Sequence, residues 1–257
     1  MSNLTVVLTS CRRHDLLVRT LESFFATNRY PIHEFIIIED SDQDQVRDLA
    51  ERFPEQPIRF IVNGQNLGQH RSIDKAYAQV KTPYVLHLED DWQFPVPGTV
   101  EKGMAIIESC PDIFMVLLRK DADMPRSFKK LPRIEQPAPY RRVDAGAHRT
   151  WYSFTFNPTI KRLADYQRLP QGYSGFQGEV ALSLYYKDQG AVLAWLEGTG
   201  VDHLGFDHSN FARKRKRGLA GVLESARRFF SMATLRKWKT SLGRRIEHQK
   251  RKRKLGK

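Results

Sequence analysis

Three carboxylates stand side by side in "HLEDDWQF", His87 to Phe94, after an apolar run and before a tryptophan. Glu89, Asp90 and Asp91 repel one another unless a cation neutralises them or water solvates them. Alternate residues at the end of a strand can point the same way, so Glu89 and Asp91 can share a hard divalent cation such as Mg2+ or Mn2+. The other reading is a solvated turn whose acids cap the next helix. Acids also end "EFIIIED". Glu39 and Asp40 there can accept hydrogen bonds from a ligand N–H, or stand in solvent while Ser41 or Asp42 caps a helix. Glu179 opens a helical run, which suits a proton acceptor and equally suits a glutamate favoured by the helix dipole. His203, in "GVDHLG", is either a packed or surface histidine or a third ligand, since imidazole accepts Mn2+ more readily than Mg2+. Four large aromatic residues, Trp92, Trp151, Tyr152 and Tyr173, can stack on a ligand ring or fill the core.

The elements that must position these residues alternate. "LTVVLT", "EFIIIED", "IRFIV" and "PYVLHL" are short β-rich runs, apolar on both faces. Between them "DLLVRTLESFFATN", "DQVRDLAERF" and "GQHRSIDKAYAQV" have helical spacing, the last opening after Asn66 and Gly68. This alternation predicts an α/β fold, Rossmann-like, with a mostly parallel central sheet flanked by helices. Ligands bind such sheets beyond the carboxyl ends of the strands. Thr9 to Arg13, Glu39 to Asp42 and Glu89 to Asp91 all fall there. Further on, "IFMVLL" and "AVLAWL" read as strands, "TWYSFTFNP" as another, and "GEVALSLYYKDQG" as a helix ended by Gly190. Residues 119–150 read as a long irregular loop.

The chain has 257 residues, 40% hydrophobic, enough for one large domain with an appendage. Two cysteines, Cys11 and Cys110, make neither a disulfide framework nor a zinc spacing. The start lacks the pattern of a secretory signal, and no apolar run approaches the about 20 residues needed to span a bilayer. The expected compartment is the cytosol. The net charge of +13 is unevenly spread: residues 212–257 carry 18 Lys/Arg and 2 acids, leaving 1–211 with a net −3. Two segments are expected, a globular domain at 1–211 and a basic helical tail at 212–257. In the tail Leu219, Val222, Leu223, Ala226, Phe229, Phe230 and Ala233 share one helical face flanked by basic residues. That is the pattern of a helix lying on an anionic membrane. A basic run alone does not separate lipid from nucleic acid, but the phenylalanine pair favours the membrane.

Four blocks together resemble the inverting, family-2-like glycosyltransferases of GT-A fold. They are "TVVLTSCRRHDLLVRTLESFF", "EFIIIEDSD", the stretch from Asn66 to Asp91, and "GEVALSLYYKDQG". The resemblance implies that Glu89 and Asp91, with His203, hold the metal, and that Asp90 sits at the donor. It implies that Thr9, Arg13, Glu39, Asp40, Asn66 and Gly68 line the nucleotide pocket, and that Glu179 is the catalytic base. Ile73 and Asp74 stand where the family has Arg and Asn, so Arg71 or Lys75 is the expected source of the missing charge. The implied reaction moves a sugar from a nucleotide-diphosphate donor to a lipid-linked or envelope glycan, with Mn2+ or Mg2+. The implied place of work is the cytoplasmic face of a membrane. Two other readings compete: a nucleotidyltransferase, disfavoured because "TSCRRHD" has no glycine, and a non-catalytic polyanion-binding protein, disfavoured by the intact carboxylates.

Overall fold

The computed structural model describes residues 2–148 and 154–204. The expectations for Trp151, Tyr152 and the tail at 212–257 lie outside these residues. The described strands are β1 Leu4–Ser10, β2 Glu34–Glu39, β3 Ile58–Val62, β4 Tyr84–Glu89, β5 Trp92–Gln93, β6 Ile113–Leu117, β7 Arg133–Ile134, β8 Tyr140–Val143, β9 Thr159–Arg162, β10 Val192–Leu196 and β11 Asp202–His203. The helices are α1 His14–Thr27, α2 Leu49–Arg52, α3 Gln69–Tyr77, α4 Thr99–Ser109, α5 Leu163–Gln167 and α6 Glu179–Asp188.

Nine strands form one sheet in the order β3-β2-β1-β4-β9-β6-β10-β8-β7. Both faces are buried, and the period-2 alternation of each strand sorts its residues between them. Leu4, Val6 and Leu8 of β1 join Phe35 and Ile37 of β2 under α1 and α4. Val7, Ile36 and Ile38 face the other way, with Ile73 and Tyr77 of α3 and Leu182 and Tyr186 of α6. That explains why the first strands read as unbroken apolar runs. On the first face Gly103 lets α4 approach β9, because a Cβ there would fall 2.7 Å from Ile160 Cδ1.

The expectation of a mostly parallel sheet is corrected. β3, β2, β1 and β4 are parallel neighbours, as are β6 and β10. β9, however, is inserted antiparallel between β4 and β6, and β8 and β7 add antiparallel pairs at the far edge. The sheet is mixed. The strand expected in "TWYSFTFNP" does not include residues 154–158, and β9 begins only at Thr159. "TIKR" carries a lysine and an arginine, so it gives no apolar run to read. Residues 119–148 are not one structureless loop either, since they contain β7, β8 and two short 3-10 turns. The helix expected at "DQVRDLAERF" is a 3-10 turn, Asp44–Asp48, followed by the single turn of α2.

Candidate functional site

The chain runs outward from β1 to β2 and β3, then returns to β4 on the other side of β1. This reversal opens a crevice at the carboxyl ends of β1 and β4, the place where open α/β sheets bind ligands. Thr9 of β1 pairs with Glu89 of β4, and Ser10 pairs with Glu39 of β2. The two acidic strand ends, of β2 and β4, therefore flank the hydroxyl-bearing end of β1.

Two neighbouring elements hold the carboxylate turn. Thr20 of α1 donates its hydroxyl to the Asp90 carbonyl at 2.9 Å and accepts the Trp92 N–H at 3.0 Å. Ser23, one turn later, accepts the Phe94 N–H at 3.1 Å. β5 then pairs antiparallel with β11, setting His203 opposite Trp92. The Leu204 N–H donates to the Asp91 carbonyl at 2.7 Å. This short ladder carries His203 Nε2 to 3.4 Å from Asp91 Oδ2.

The mutual repulsion of the acids is relieved within the chain by Arg13, at the start of α1. Its guanidinium pairs with both Asp90 and Asp91, reaching Asp91 Oδ2 at 2.7 Å. Asp90 is fully buried and also accepts the Cys11 N–H at 3.3 Å. Burial nonetheless pushes its carboxyl up to about 7, against the pull of Arg13. Burial also raises Asp91, but its bond to His203 and the charge of Arg13 outweigh that and hold it below its ordinary value. Glu89 has different partners: Oε1 accepts Gln69 Nε2 at 2.9 Å and Oε2 accepts Trp92 Nε1 at 3.4 Å. Burial, then the charges of Asp91 and Asp90, push Glu89 up to about 8. Glu89 and Asp91 thus look to different neighbours, although they are electrostatically coupled.

The donor set fits a hard cation in part. Asp91 Oδ1 is buried and accepts no hydrogen bond among the described residues, and His203 lies beside it. Among those residues no group of three or more His, Cys, Asp and Glu side chains converges as a metal cage. A Mg2+-like cation commonly takes one or two carboxylates and completes its shell with substrate phosphates and water, so a protein cage is not required.

The other acidic strand end is satisfied internally. Glu39 accepts the Arg12 N–H at 2.9 Å and the Ser41 hydroxyl at 2.5 Å. It thereby holds Arg12 at φ 57°, a left-handed conformation unusual for a side-chain-bearing residue. Asp40 accepts the Leu67 N–H at 2.7 Å, the Gly68 N–H at 2.9 Å and Asn66 Nδ2 at 2.9 Å. Asp40, Asn66 and Gly68 therefore form one clamp that sets the entry to α3. The Thr9 hydroxyl points at the Leu88 carbonyl, 3.5 Å away in the neighbouring strand. Arg71 is exposed on α3, and Lys75 donates to Asn63 Oδ1 at 2.8 Å.

Glu179 is the first residue of α6, after Gly178 at φ 90°. Its Oε1 accepts the Phe156 N–H at 3.2 Å, and its charge contributes to raising Glu89. The loop leading to it is tied down by Asp74, which accepts the Tyr173 and Ser174 N–H groups, each at 2.8 Å, and the Tyr166 hydroxyl at 3.0 Å. That role for Asp74 had no local signal, because its partners lie about a hundred residues away. Of the two readings for Trp92 and Tyr173, stacking on a ligand ring or filling the core, the structure shows the second. Both are 1% exposed, Trp92 edge-on to His203 and Tyr173 among Tyr77, Tyr166 and Phe154. Large rings next to an apolar layer gain most from burial in it.

The backbone is similar to several solved structures. A mannosyltransferase from Pyrobaculum calidifontis, in complex with GDP-Man and Mn2+, superposes with a TM-score of 0.62 at 14% identity, over 82% of this chain and 59% of that one. S. aureus TarS 1-349 gives 0.61 at 16% identity, over 78% and 59%. Its complex with UDP-GlcNAc gives 0.57 at 15% identity, over 81% and 62%. The chain thus spans about three-fifths of the length of these proteins. Among curated protein sequences none matches it significantly. The family model described as "Glycosyl transferase family 2" matches residues 5–172, from β1 past the carboxylate turn to the loop held by Asp74. A GT-A fold with the acidic turn at its switch point, and a family match over most of the chain, make this protein a member of glycosyl transferase family 2.

Proposed function

We propose that the chain is a metal-dependent inverting glycosyltransferase that moves a sugar from a nucleotide-diphosphate donor onto a lipid-linked or envelope glycan. The observation that carries this is the meeting of Asp91 and His203, 3.4 Å apart, at the switch-point crevice of a family-2 fold. Asp91 and His203, with Glu89 nearby, are the residues that would hold Mn2+ or Mg2+. When bound, the cation supplies charge to the departing diphosphate. Glu179 is the base: it takes the proton of the acceptor hydroxyl as that oxygen attacks the anomeric carbon from the side opposite the leaving phosphate. The Phe156 N–H holds one carboxylate oxygen of Glu179 and orients the other. Asp90 and Arg13 stiffen the floor of the site. The Asp40–Asn66–Gly68 clamp, flanked by Glu39 and Thr9, shapes the nucleotide side, and Arg71 offers an exposed cation to the phosphates.

We assign residues 1–211 to the catalytic domain and 212–257 to a basic segment that draws the enzyme to an anionic membrane, on the cytoplasmic side. Support comes from the charge division and from the apolar face bearing Phe229 and Phe230. Among the described residues no helix is long and apolar enough to cross a membrane. The deciding experiment for the chemistry is Glu179→Gln. The amide keeps the shape and removes the base, so donor binding should survive while turnover falls by about 10²–10⁴-fold. Normal turnover would move the base to another acid.

A further inference from the structure

β9 carries a charge where its neighbours carry apolar groups. Ile160 faces α4, so the next residue, Lys161, faces the opposite layer. There Lys161 is 2% exposed. Its Nζ lies 4.8 Å from the ring centre of Phe154, 5.2 Å from Phe156 and 5.7 Å from Tyr173. It makes no hydrogen bond among the described residues. Three ring faces are a favourable setting for an ammonium, yet a methionine or leucine would fill the same space without a buried charge. A residue that costs stability without an evident structural return is a candidate for function.

The negative charges of two acids act on Lys161 through space: Glu179 of α6 and Glu89 of β4. His87 of β4 also faces it and stays neutral, because burial and then the Lys161 charge hold its pKa well below the ordinary value. Tyr173 and Tyr77 present phenols on the same side, neutral because burial raises both well above their ordinary value. The box and the acid are joined, since Phe156 gives its ring to Lys161 and its N–H to Glu179. We propose that Lys161 is a positioning residue for the transfer reaction: its ammonium, caged by Phe154, Phe156 and Tyr173, keeps the Glu179 carboxylate ionised and ready to accept a proton. This rests on the reading of Glu179 as the base. The charge acts through space, and that suits a base, since a lysine in hydrogen-bond contact would occupy the oxygen that must receive the proton. Burial lowers Lys161 to about 7 against the pull of Glu179 and Glu89. The cage is therefore charged at acidic pH.

Two measurements test this on the full chain. The first is the pH profile of UDP-GlcNAc and GDP-mannose hydrolysis with Mn2+, for wild type and Lys161→Met. Loss of the counter-charge should move the acidic limb of kcat/KM up by about one unit, a roughly tenfold loss at fixed pH on the limb. The rate should recover at higher pH and the donor KM should hold. A purely structural role would lower the rate equally at every pH, and an unmoved limb overturns the proposal. The second is the 13C titration of the lysine ε-carbons, with Lys161 assigned by its absence from the Lys161→Met spectrum. Coupling is reciprocal, so the Lys161 midpoint should fall in Glu179→Gln. A fallen midpoint supports the coupling even if neither donor is hydrolysed, in which case the transferase reading fails alone. An unchanged midpoint overturns the proposal whatever the rates.

Discussion

Lys161→Met should make the folded chain more stable at neutral pH, and more so at neutral than at alkaline pH. Methionine keeps the unbranched stem among the three rings and removes the ammonium. The unfolded lysine holds its proton up to 10.5, and the folded one releases it at about 7. Between those values the unfolded chain binds more protons, so this group makes stability rise with pH across that window. Below about 7 the full penalty applies, and above 10.5 it vanishes. Lowering the group from 10.5 to about 7, at about 1.4 kcal/mol per tenfold loss of proton affinity, costs on the order of 5 kcal/mol. Lost cation–π attraction reduces the gain, and new sulfur–ring contacts restore part of it. The expected gain at pH 7 is therefore about 2–5 kcal/mol, an increase in Tm of roughly 5–15 °C for a chain of this size. Glu89 works in the opposite sense: its folded pKa is raised to about 8, so its contribution to stability falls as pH rises from 4.5 through 8. The comparison must therefore be wild type against variant at each pH. Urea unfolding followed by tryptophan fluorescence at pH 7 and 9.5 supplies it. If the variant is the less stable protein at pH 7, or the gap does not narrow by pH 9.5, the account of a costly buried ammonium is wrong.

Three further perturbations probe other parts of the molecule. Asp91→Ala should abolish Mn2+-dependent donor binding in calorimetry with the circular dichroism unchanged, and full activity of this variant in the presence of chelator would remove the metal reading. Gly172→Ala should cost about 1–3 kcal/mol in thermal unfolding, because Gly172 sits at φ +61° and an added Cβ would fall 2.7 Å from Asp74 Oδ1. A wild-type Tm would mean that the Asp74 clamp yields easily. Truncation after Phe211 should leave turnover of a short soluble acceptor intact and remove salt-sensitive co-sedimentation with anionic vesicles, since 1–211 is net −3. Equal sedimentation of full-length and truncated chains would turn attention to nucleic acid as the tail's partner.

Much of this protein is legible along the chain. The apolar runs of β1, β2, β4, β6 and β10 are buried strands, and the spacings of α1, α3 and α6 are helices, α3 entered at Gly68 and α6 entered at Gly178 and followed by Gly190. Those features depend on a repeat of two or 3.6 residues and on backbone freedom at single positions, which local sequence carries in full. The alignment of Thr9, Glu39 and Glu89 at one edge followed from the expected parallel order of the first strands.

Only the tertiary structure decided the rest. β9 runs antiparallel because of the strands on either side of it, and "TIKR" has no apolar run to announce it. The sequence put cations and carboxylates in the same neighbourhood but could not say that Arg13 lies between Asp90 and Asp91, or that a two-residue ladder delivers His203. Asp74 departs from the family's pattern on paper and closes a loop a hundred residues away in space. Trp92 and Tyr173 became core and Lys161 became a caged charge for the same reason. What a side chain does depends on its neighbours' polarity and on the water they exclude, and here those neighbours come from strands and helices far apart in the chain.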